Sequence, residues 1–105
     1  MRSKDVIWMA DALAVLRKFP KAVRIKLGED IRRLQLGLQP FDGKPMNSVG
    51  RGVRELRAGH SGNQYRAIYV IRRAEGIYVL HAFVKKSRTT AKHDIETAKR
   101  RLKAI

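Results

Sequence analysis

The segment YVLHAFVKKSR, Tyr78 to Arg88, joins an apolar run with strand character to a cluster of cations. The run is almost entirely apolar, which is typical of a central strand buried on both faces. Such a strand delivers Lys85, Lys86 and Arg88 to one edge of a small domain. Because fixed positive charge at an edge can hold a polyanion, RNA or DNA is the first partner to consider.

The whole chain is strongly basic. Its 105 residues include 24 Lys and Arg against 9 Asp and Glu, which gives a formal net charge of +15. Such an excess repels itself in a compact domain and is tolerated best beside an anionic partner. Nucleic acid, an acidic protein and an anionic membrane are the candidates. The length predicts one domain, residues 1–105, with its own hydrophobic core.

Several classes of protein are excluded by composition. No apolar run approaches the roughly 20 residues that cross a bilayer, and charges interrupt any signal-peptide pattern at the start. We therefore expect a cytoplasmic protein without a membrane partner. Cysteine is absent, and the three histidines, His60, His81 and His93, are too far apart for a metal-ligand motif. We expect no metal and no cofactor.

The N-terminal third predicts one strand and two helices. The apolar run 6–9 suits an edge or pairing strand. Asp11 can cap a helix that ends before Pro20, and Pro20 is well suited to open the next one. The second helix has an apolar stripe at three- and four-residue spacing, formed by Val23, Leu27, Ile31, Leu34 and Leu38. This pattern predicts a helical hairpin with one apolar and one basic face.

The rest of the chain predicts a loop, a meander and a final helix. Turn formers fill residues 39–52, and strand-like alternation follows in 53–57, 64–72 and 77–84, with short connections that suit hairpins. Threonines at 89 and 90 can cap a helix that packs an apolar stripe onto the sheet. The order predicts an α+β domain of two layers, with an antiparallel sheet against the helical hairpin and the C-terminal helix.

Six short motifs follow one another in a specific order along the chain: QLGLQP (35–40), KPM (44–46), GRGVRELR (50–57), YRAIYV (65–70), VLHAFVKKSRTT (79–90) and KRRL (99–102). Together they cover nearly the whole chain, which resembles the RelE/ParE superfamily of bacterial toxins and most of all its phage-derived, HigB-like branch. The resemblance implies a RelE-like fold and a toxin of a type II toxin–antitoxin system. It also implies an endoribonuclease that cuts mRNA on the ribosome, and a helix-turn-helix antitoxin as cognate partner.

RNA can be cut without a metal when its 2′-hydroxyl attacks the adjacent phosphate. The enzyme must align the reacting atoms, stabilise charge on the phosphoryl oxygens and assist two proton transfers. Arginine suits the second task because its planar fork binds phosphate and stays charged. The resemblance assigns the scissile phosphate to Arg66. Arg57, Lys85 and Lys86 are expected on the same surface if the meander pairs in the simple order.

Two residues are candidates for the proton transfers, His93 and Glu55. The imidazole of His93 suits a proton shuttle, and some HigB toxins carry a functional His or Tyr near this position. Glu55 is a possible base, with a salt bridge to Arg57 as the alternative. Substrate binding is assigned to three further cations, Arg88, Arg54 and Lys92.

Other conspicuous side chains are assigned to structure. His81 is expected on the face of Ile77, Val79 and Phe83, as a hydrogen-bonded core residue rather than a catalyst. Tyr65, Tyr69 and Tyr78 are expected to pack in the sheet rather than to stack on bases.

Two other functions stay open at this point. A ParE-like protein would poison DNA gyrase without cutting RNA, and a non-catalytic nucleic-acid or ribosome-binding module would need charge alone. The combination of Arg57, Arg66 and the Lys85–Lys86 pair favours the nuclease, because neither alternative requires a phosphate-activating cluster.

Overall fold

The structure is a computed structural model that describes residues 3–105. A five-stranded sheet with the strand order β1-β5-β4-β3-β2 carries three helices. The elements in chain order are β1 (Val6–Trp8), α1 (Ala12–Arg17), α2 (Lys21–Gln35), β2 (Gly43–Pro45), β3 (Val53–His60), β4 (Asn63–Arg72), β5 (Gly76–Lys85) and α3 (Lys92–Lys103). The predicted α+β class is confirmed. None of the helices within residues 3–105 is long and apolar enough to cross a membrane.

Strands β3, β4 and β5 form the predicted antiparallel meander in the simple order. The first hairpin closes on Ser61 and Gly62, whose φ angles are +49° and +82°. Two residues with positive φ form the turn whose twist matches that of the flanking strands. β3 therefore continues to His60, three residues beyond the predicted end.

A β-bulge interrupts the pairing of β4 with β5. Ile68 pairs with His81 and Tyr69 pairs with Val79, which leaves Leu80 as the extra residue. The predicted common face of His81 with Ile77 is wrong, because the extra residue breaks the two-residue alternation. His81 instead stacks on the ring of Phe83 at 5.1 Å between centroids.

Both edge strands are short. β1 lies parallel to β5, so the sheet is mixed rather than purely antiparallel. β2 pairs antiparallel with β3 inside the segment 39–52, which the sequence predicted to be a loop throughout. Proline and glycine in β2 resemble turn formers, but an edge strand accepts both, because one of its sides has no ladder to complete.

The sheet has an apolar core on each face. On one face, α1 and α2 pack over β3, β4 and β5, with Leu27, Leu56 and Tyr69 among the buried residues. On the other face, α3 and the segment after β2 cover Val53, Ile68 and further apolar side chains. This second cover is partial, and it leaves the part of the sheet near the β3–β4 turn available for a site.

Three details of the helices differ from the predictions. Asp11 occupies the N-cap position of α1 without a capping hydrogen bond, because its carboxylate accepts one from Arg101 at 2.8 Å instead. α3 is capped by Ala91 rather than by a threonine. Leu38 lies beyond the end of α2 and is 48% exposed, since the chain leaves the helix through Gly37 at φ +77°.

Candidate active site on the sheet

The register of the meander places three predicted site residues on one face. Arg57 in β3 pairs directly with Arg66 in β4, and Arg66 pairs with Phe83 in β5. Lys85 lies two residues beyond Phe83 and pairs with Gln64. Directly paired residues of neighbouring strands point to the same side of a sheet, as do residues two apart on one strand. Arg57, Arg66 and Lys85 therefore share the face on which α3 packs. We call these three residues the cation cluster.

Arg66 is the most buried cation of the site. It is 6% exposed, and its Nη1 donates hydrogen bonds to the side-chain oxygen of Gln64 at 3.1 Å and to the carbonyl of Tyr65 at 3.3 Å. Burial lowers the pKa of Arg66 below its ordinary value and the Arg57 charge adds to this, whereas Glu55 raises the pKa. Arginine stays charged after such a shift, so a fixed cation lies in a partly dry environment.

Glu55 lies beneath the cluster and is fully buried. Its Oε1 is 3.2 Å from Nε of Arg66 and 3.7 Å from Nζ of Lys44, the residue that faces it on β2. Neither carboxylate oxygen accepts a well-aligned hydrogen bond from the described residues. An ion pair is the arrangement found, but with Arg66 and Lys44 rather than with Arg57. A carboxylate without surface exposure positions the two cations and does not itself reach a substrate.

Arg57 is positioned by an acid that the sequence did not single out. Its Nε donates to Oδ1 of Asp42 at 2.9 Å, and Asp42 also accepts from Nζ of Lys26 at 3.1 Å. Partial burial by itself raises the pKa of Asp42, but the hydrogen bonds from Lys26 and Arg57 outweigh it, and the pKa lies below its ordinary value of 3.8. Asp42 thus ties the segment before β2 to the end of β3.

Lys85 is the cation best prepared to give up a proton. Partial burial lowers its pKa from the ordinary 10.5, and the charges of Arg66, Lys44 and Arg57 lower it further, opposed by Glu55. Neighbouring positive charges favour the neutral amine of a lysine and so make its ammonium group a stronger acid. The structure thus distinguishes Lys85 from its two arginine neighbours.

A hollow of about 310 Å³ adjoins the cation cluster at the end of β5. Three predicted site residues line it, namely Lys85, Lys86 and His93. Phe83, Ser87 and Asp94 also belong to the lining. Phe83 is also the cross-strand neighbour of Arg66. The hollow therefore leads from the sheet cations to the first turn of α3, where His93 is exposed at the rim.

Asp94 fixes the start of α3 against the sheet. It is buried, and its Oδ1 lies 2.7 Å from Nε2 of His81, while its Oδ2 lies 3.4 Å from Nε2 of the exposed His93. The assignment of His81 to a hydrogen-bonded structural role is confirmed. Asp94 was missed because nothing in its local sequence indicates that β5 supplies a partner 13 residues earlier.

The three residues assigned to substrate binding do not join the cluster. Arg54 pairs with Tyr69 in the β3–β4 register and therefore points to the face covered by α2. One step along a strand reverses the side, so Arg54 and Glu55 are separated by the sheet. Arg88 and Lys92 are exposed outside the lining of the hollow, and Lys92 lies 3.9 Å from Glu96 in its own helix.

These features define a class of protein: a small, strongly basic α+β domain that gathers cations on one face of its sheet. Comparison with protein families gives the more specific assignment. Residues 14–103 match the model of the family described as "Phage derived protein Gp49-like (DUF891)", and the chain belongs to this family. The family is associated with RelE-like toxins. No curated protein matches the chain significantly.

Proposed function

We propose that the protein is the toxin of a type II toxin–antitoxin system and cuts mRNA on the ribosome without a metal. The observation that carries the proposal is the cation cluster, in which Arg57 and Arg66 are direct cross-strand neighbours and Lys85 lies beside them. The family assignment supports the toxin class.

The cluster provides the groups that this reaction needs. The two guanidinium groups bind the non-bridging oxygens of the scissile phosphate and stabilise the charge that grows on them. The 2′-oxygen forms a bond to phosphorus as the bond to the 5′-oxygen breaks. The products are a 2′,3′-cyclic phosphate and a 5′-hydroxyl.

Two proton transfers complete the reaction. Lys85 donates a proton to the leaving 5′-oxygen, because its neighbours make it a stronger acid than an ordinary lysine. The imidazole of His93, at the rim of the hollow, accepts the proton of the 2′-hydroxyl. Lys86 lines the same hollow and binds the phosphate next to the scissile one.

The experiment that tests this function is inducible expression followed by mapping of new 5′ ends on cellular mRNA. We expect growth arrest and cuts inside translated codons, with 5′-hydroxyl ends that appear only when the message is translated. Arrest with a change in DNA supercoiling and intact mRNA would support a gyrase inhibitor instead. If neither mRNA nor supercoiling changes, the protein is a binding module.

We also propose a cognate helix-turn-helix antitoxin as a partner. The excess of 15 positive charges favours a partner with acidic segments. Co-purification with the product of the adjacent gene tests this, and we expect the complex to leave mRNA uncut. A co-purified product that leaves the cutting unchanged would contradict the inhibitory role.

A further inference from the structure

A second cavity, of about 420 Å³, lies on the opposite face of the sheet from the cation cluster. It is bordered by the end of α2, the segment that follows α2, and residues of β3 and β4. Its lining consists of Lys4, Leu34, Gly37, Leu38, Gln39, Arg54, Tyr69, Ile71 and Arg73. Among the described residues, three cations and no acid therefore line the cavity.

The cations of this cavity are not held in ion pairs in the part of the chain that the structure describes. Lys4, Arg54 and Arg73 form no ion pair within 4 Å with any acid in residues 3–105. The cation cluster differs in this respect, because Arg57 and Arg66 each contact a carboxylate. Unpaired cations that line one cavity favour an anionic group there.

A buried hydroxyl adds a second indication. Tyr69 is 1% exposed, and its hydroxyl has no well-aligned hydrogen-bond partner in residues 3–105, although Arg54 lies close to it. Burial raises the pKa of Tyr69 above its ordinary value of 10.0, while Arg54 opposes this. The phenol is therefore a neutral donor. A buried donor without an acceptor destabilises a protein, and an anionic ligand in the cavity would supply the acceptor.

The lining of the cavity also includes exposed apolar side chains. Leu38 is 48% and Ile71 39% exposed, and both line it. Apolar side chains exposed at the cavity favour a ligand that has an apolar part.

We propose that this cavity binds an acidic, apolar peptide segment of a partner protein. A carboxylate of the segment lies between Arg54, Arg73 and Lys4 and accepts the hydrogen bond of the Tyr69 hydroxyl. An aliphatic or aromatic side chain next to that carboxylate covers Leu38 and Ile71. RNA suits the cavity less well, because phosphates would occupy the cations and leave the apolar walls exposed to water.

This inference goes beyond the cleavage of mRNA, because the cavity and the cation cluster lie on opposite faces of one sheet. A peptide held here leaves the cation cluster uncovered. The protein thus has one face for a polyanion and another for an acidic protein segment.

The test uses the full chain and random peptides displayed on phage. Peptides selected on the wild-type protein are synthesised with a fluorescent label, and their affinities are measured by anisotropy without RNA. We expect an Asp or Glu next to Leu, Ile or Phe in the selected peptides. The double variant Arg54→Gln/Arg73→Gln should bind them about tenfold more weakly or worse, through the loss of two charge-assisted hydrogen bonds.

Matched variants separate a specific site from general attraction. Arg51→Gln/Arg72→Gln removes the same charge from two exposed arginines outside the cavity, and its affinity should stay within about twofold. Tyr69→Phe removes only the unpartnered hydroxyl and should weaken binding while it preserves the fold. Thermal unfolding of each variant identifies any loss that is due to misfolding.

Four results would overturn the inference. They are selected peptides without acids, equal losses in both double variants, equal binding of peptides whose apolar residues are replaced by serine, and an RNA oligonucleotide that displaces the peptides from the cavity. The peptide measurement does not require cleavage. A chain that cuts no RNA still tests the cavity, and a chain that cuts RNA but binds no such peptide contradicts this inference alone.

Discussion

At the scale of single residues, the candidate site depends on the ion pairs that one buried acid forms with its neighbouring cations. Glu55 has no exposed surface and contacts Arg66 and Lys44. Removing one partner of a buried pair leaves the other unpaired and strongly destabilises a protein. Truncating Arg66 would therefore lower both catalysis and stability, and the two effects could not be separated. A substitution that keeps the charge is the better probe.

Arg66→Lys keeps a cation beside Glu55 and removes the planar fork. We expect cleavage to fall by about 100-fold, the scale of losing one donor to a transition-state oxygen. The melting temperature should change little. The measurement is cleavage of a translated message in a reconstituted system, together with thermal unfolding. Arg72→Lys, at the exposed end of the same strand, is the control. If a folded Arg66→Lys protein cleaves RNA as fast as the wild type, Arg66 does not bind the scissile phosphate.

The lowered pKa of Lys85 can be measured directly by NMR titration of lysines labelled with ¹³C. We expect Lys85 to titrate below 10.5. The variant Lys44→Gln removes one of the cations that lower this pKa and should move the titration to higher pH. Lys103→Gln, at the far end of α3, should leave it in place. An ordinary value for Lys85 in the wild-type protein would contradict its role as proton donor.

At the scale of elements, short segments hold the site in place. Asp42, in the segment before β2, connects α2 to β3 by contacts with Lys26 and Arg57. At the other edge of the sheet, the backbone of Gly76, at φ +132°, packs directly against the backbone of Asp5 where β5 begins. Both contacts join parts of the chain that are far apart in sequence, so each should contribute to stability beyond its own strand.

Asp42→Asn tests the first contact through its pH dependence. An acid whose pKa is lower in the folded than in the unfolded chain stabilises above the unfolded pKa, and this contribution disappears as the pH falls through the folded pKa. We expect the variant to lose up to about 1 kcal/mol of unfolding free energy at pH 7. The difference should shrink as the pH falls below 3.8, the ordinary pKa of this carboxyl group, and vanish below the lower pKa of the folded protein. Urea unfolding measures both, with Asp5→Asn as control. A pH-independent difference would contradict the ion pairs.

Gly76→Ala tests the second contact. A Cβ at position 76 would overlap the carbonyl oxygen of Asp5, a backbone atom that cannot move aside without opening the β1–β5 pairing. We expect a loss of roughly 2–4 kcal/mol. Gly52→Ala is the matched control, since Gly52 has φ +78° with nothing within 4 Å and should lose only about 1 kcal/mol from strain. Equal losses in urea unfolding would show that crowding at Gly76 has no effect.

At the scale of the whole molecule, the sheet separates two surfaces of different chemistry. The cation cluster and its hollow occupy one face, and the apolar cavity with unpaired cations occupies the other. The net charge of +15 attracts polyanions to the whole molecule. Specific binding must therefore be distinguished from this general attraction.

Salt dependence makes that distinction for RNA. If about four cations contact phosphates of a single strand, log affinity should fall with log salt at a slope of roughly −3. Lys85→Gln/Lys86→Gln should make the slope less steep by about 1.4, the value for two contacts. Lys18→Gln/Lys21→Gln removes the same charge from exposed positions on the side of α1 and α2, and should leave the slope nearly unchanged. Equal changes in both variants would indicate diffuse binding.

The sequence by itself determined the class of fold and most of its elements. Apolar periodicity located α2, and alternation located the three strands of the meander, because these repeats follow from helix and strand geometry alone. It also indicated Arg57, Arg66, Lys85 and Lys86 as candidates. Only the tertiary structure decided which of the cations meet. The register that joins Arg57 to Arg66 and the bulge at Leu80 depend on pairing between distant segments. The acids Asp42 and Asp94 were found only there as well, because the partner of a buried charge is set by contacts in space, not by neighbours in sequence.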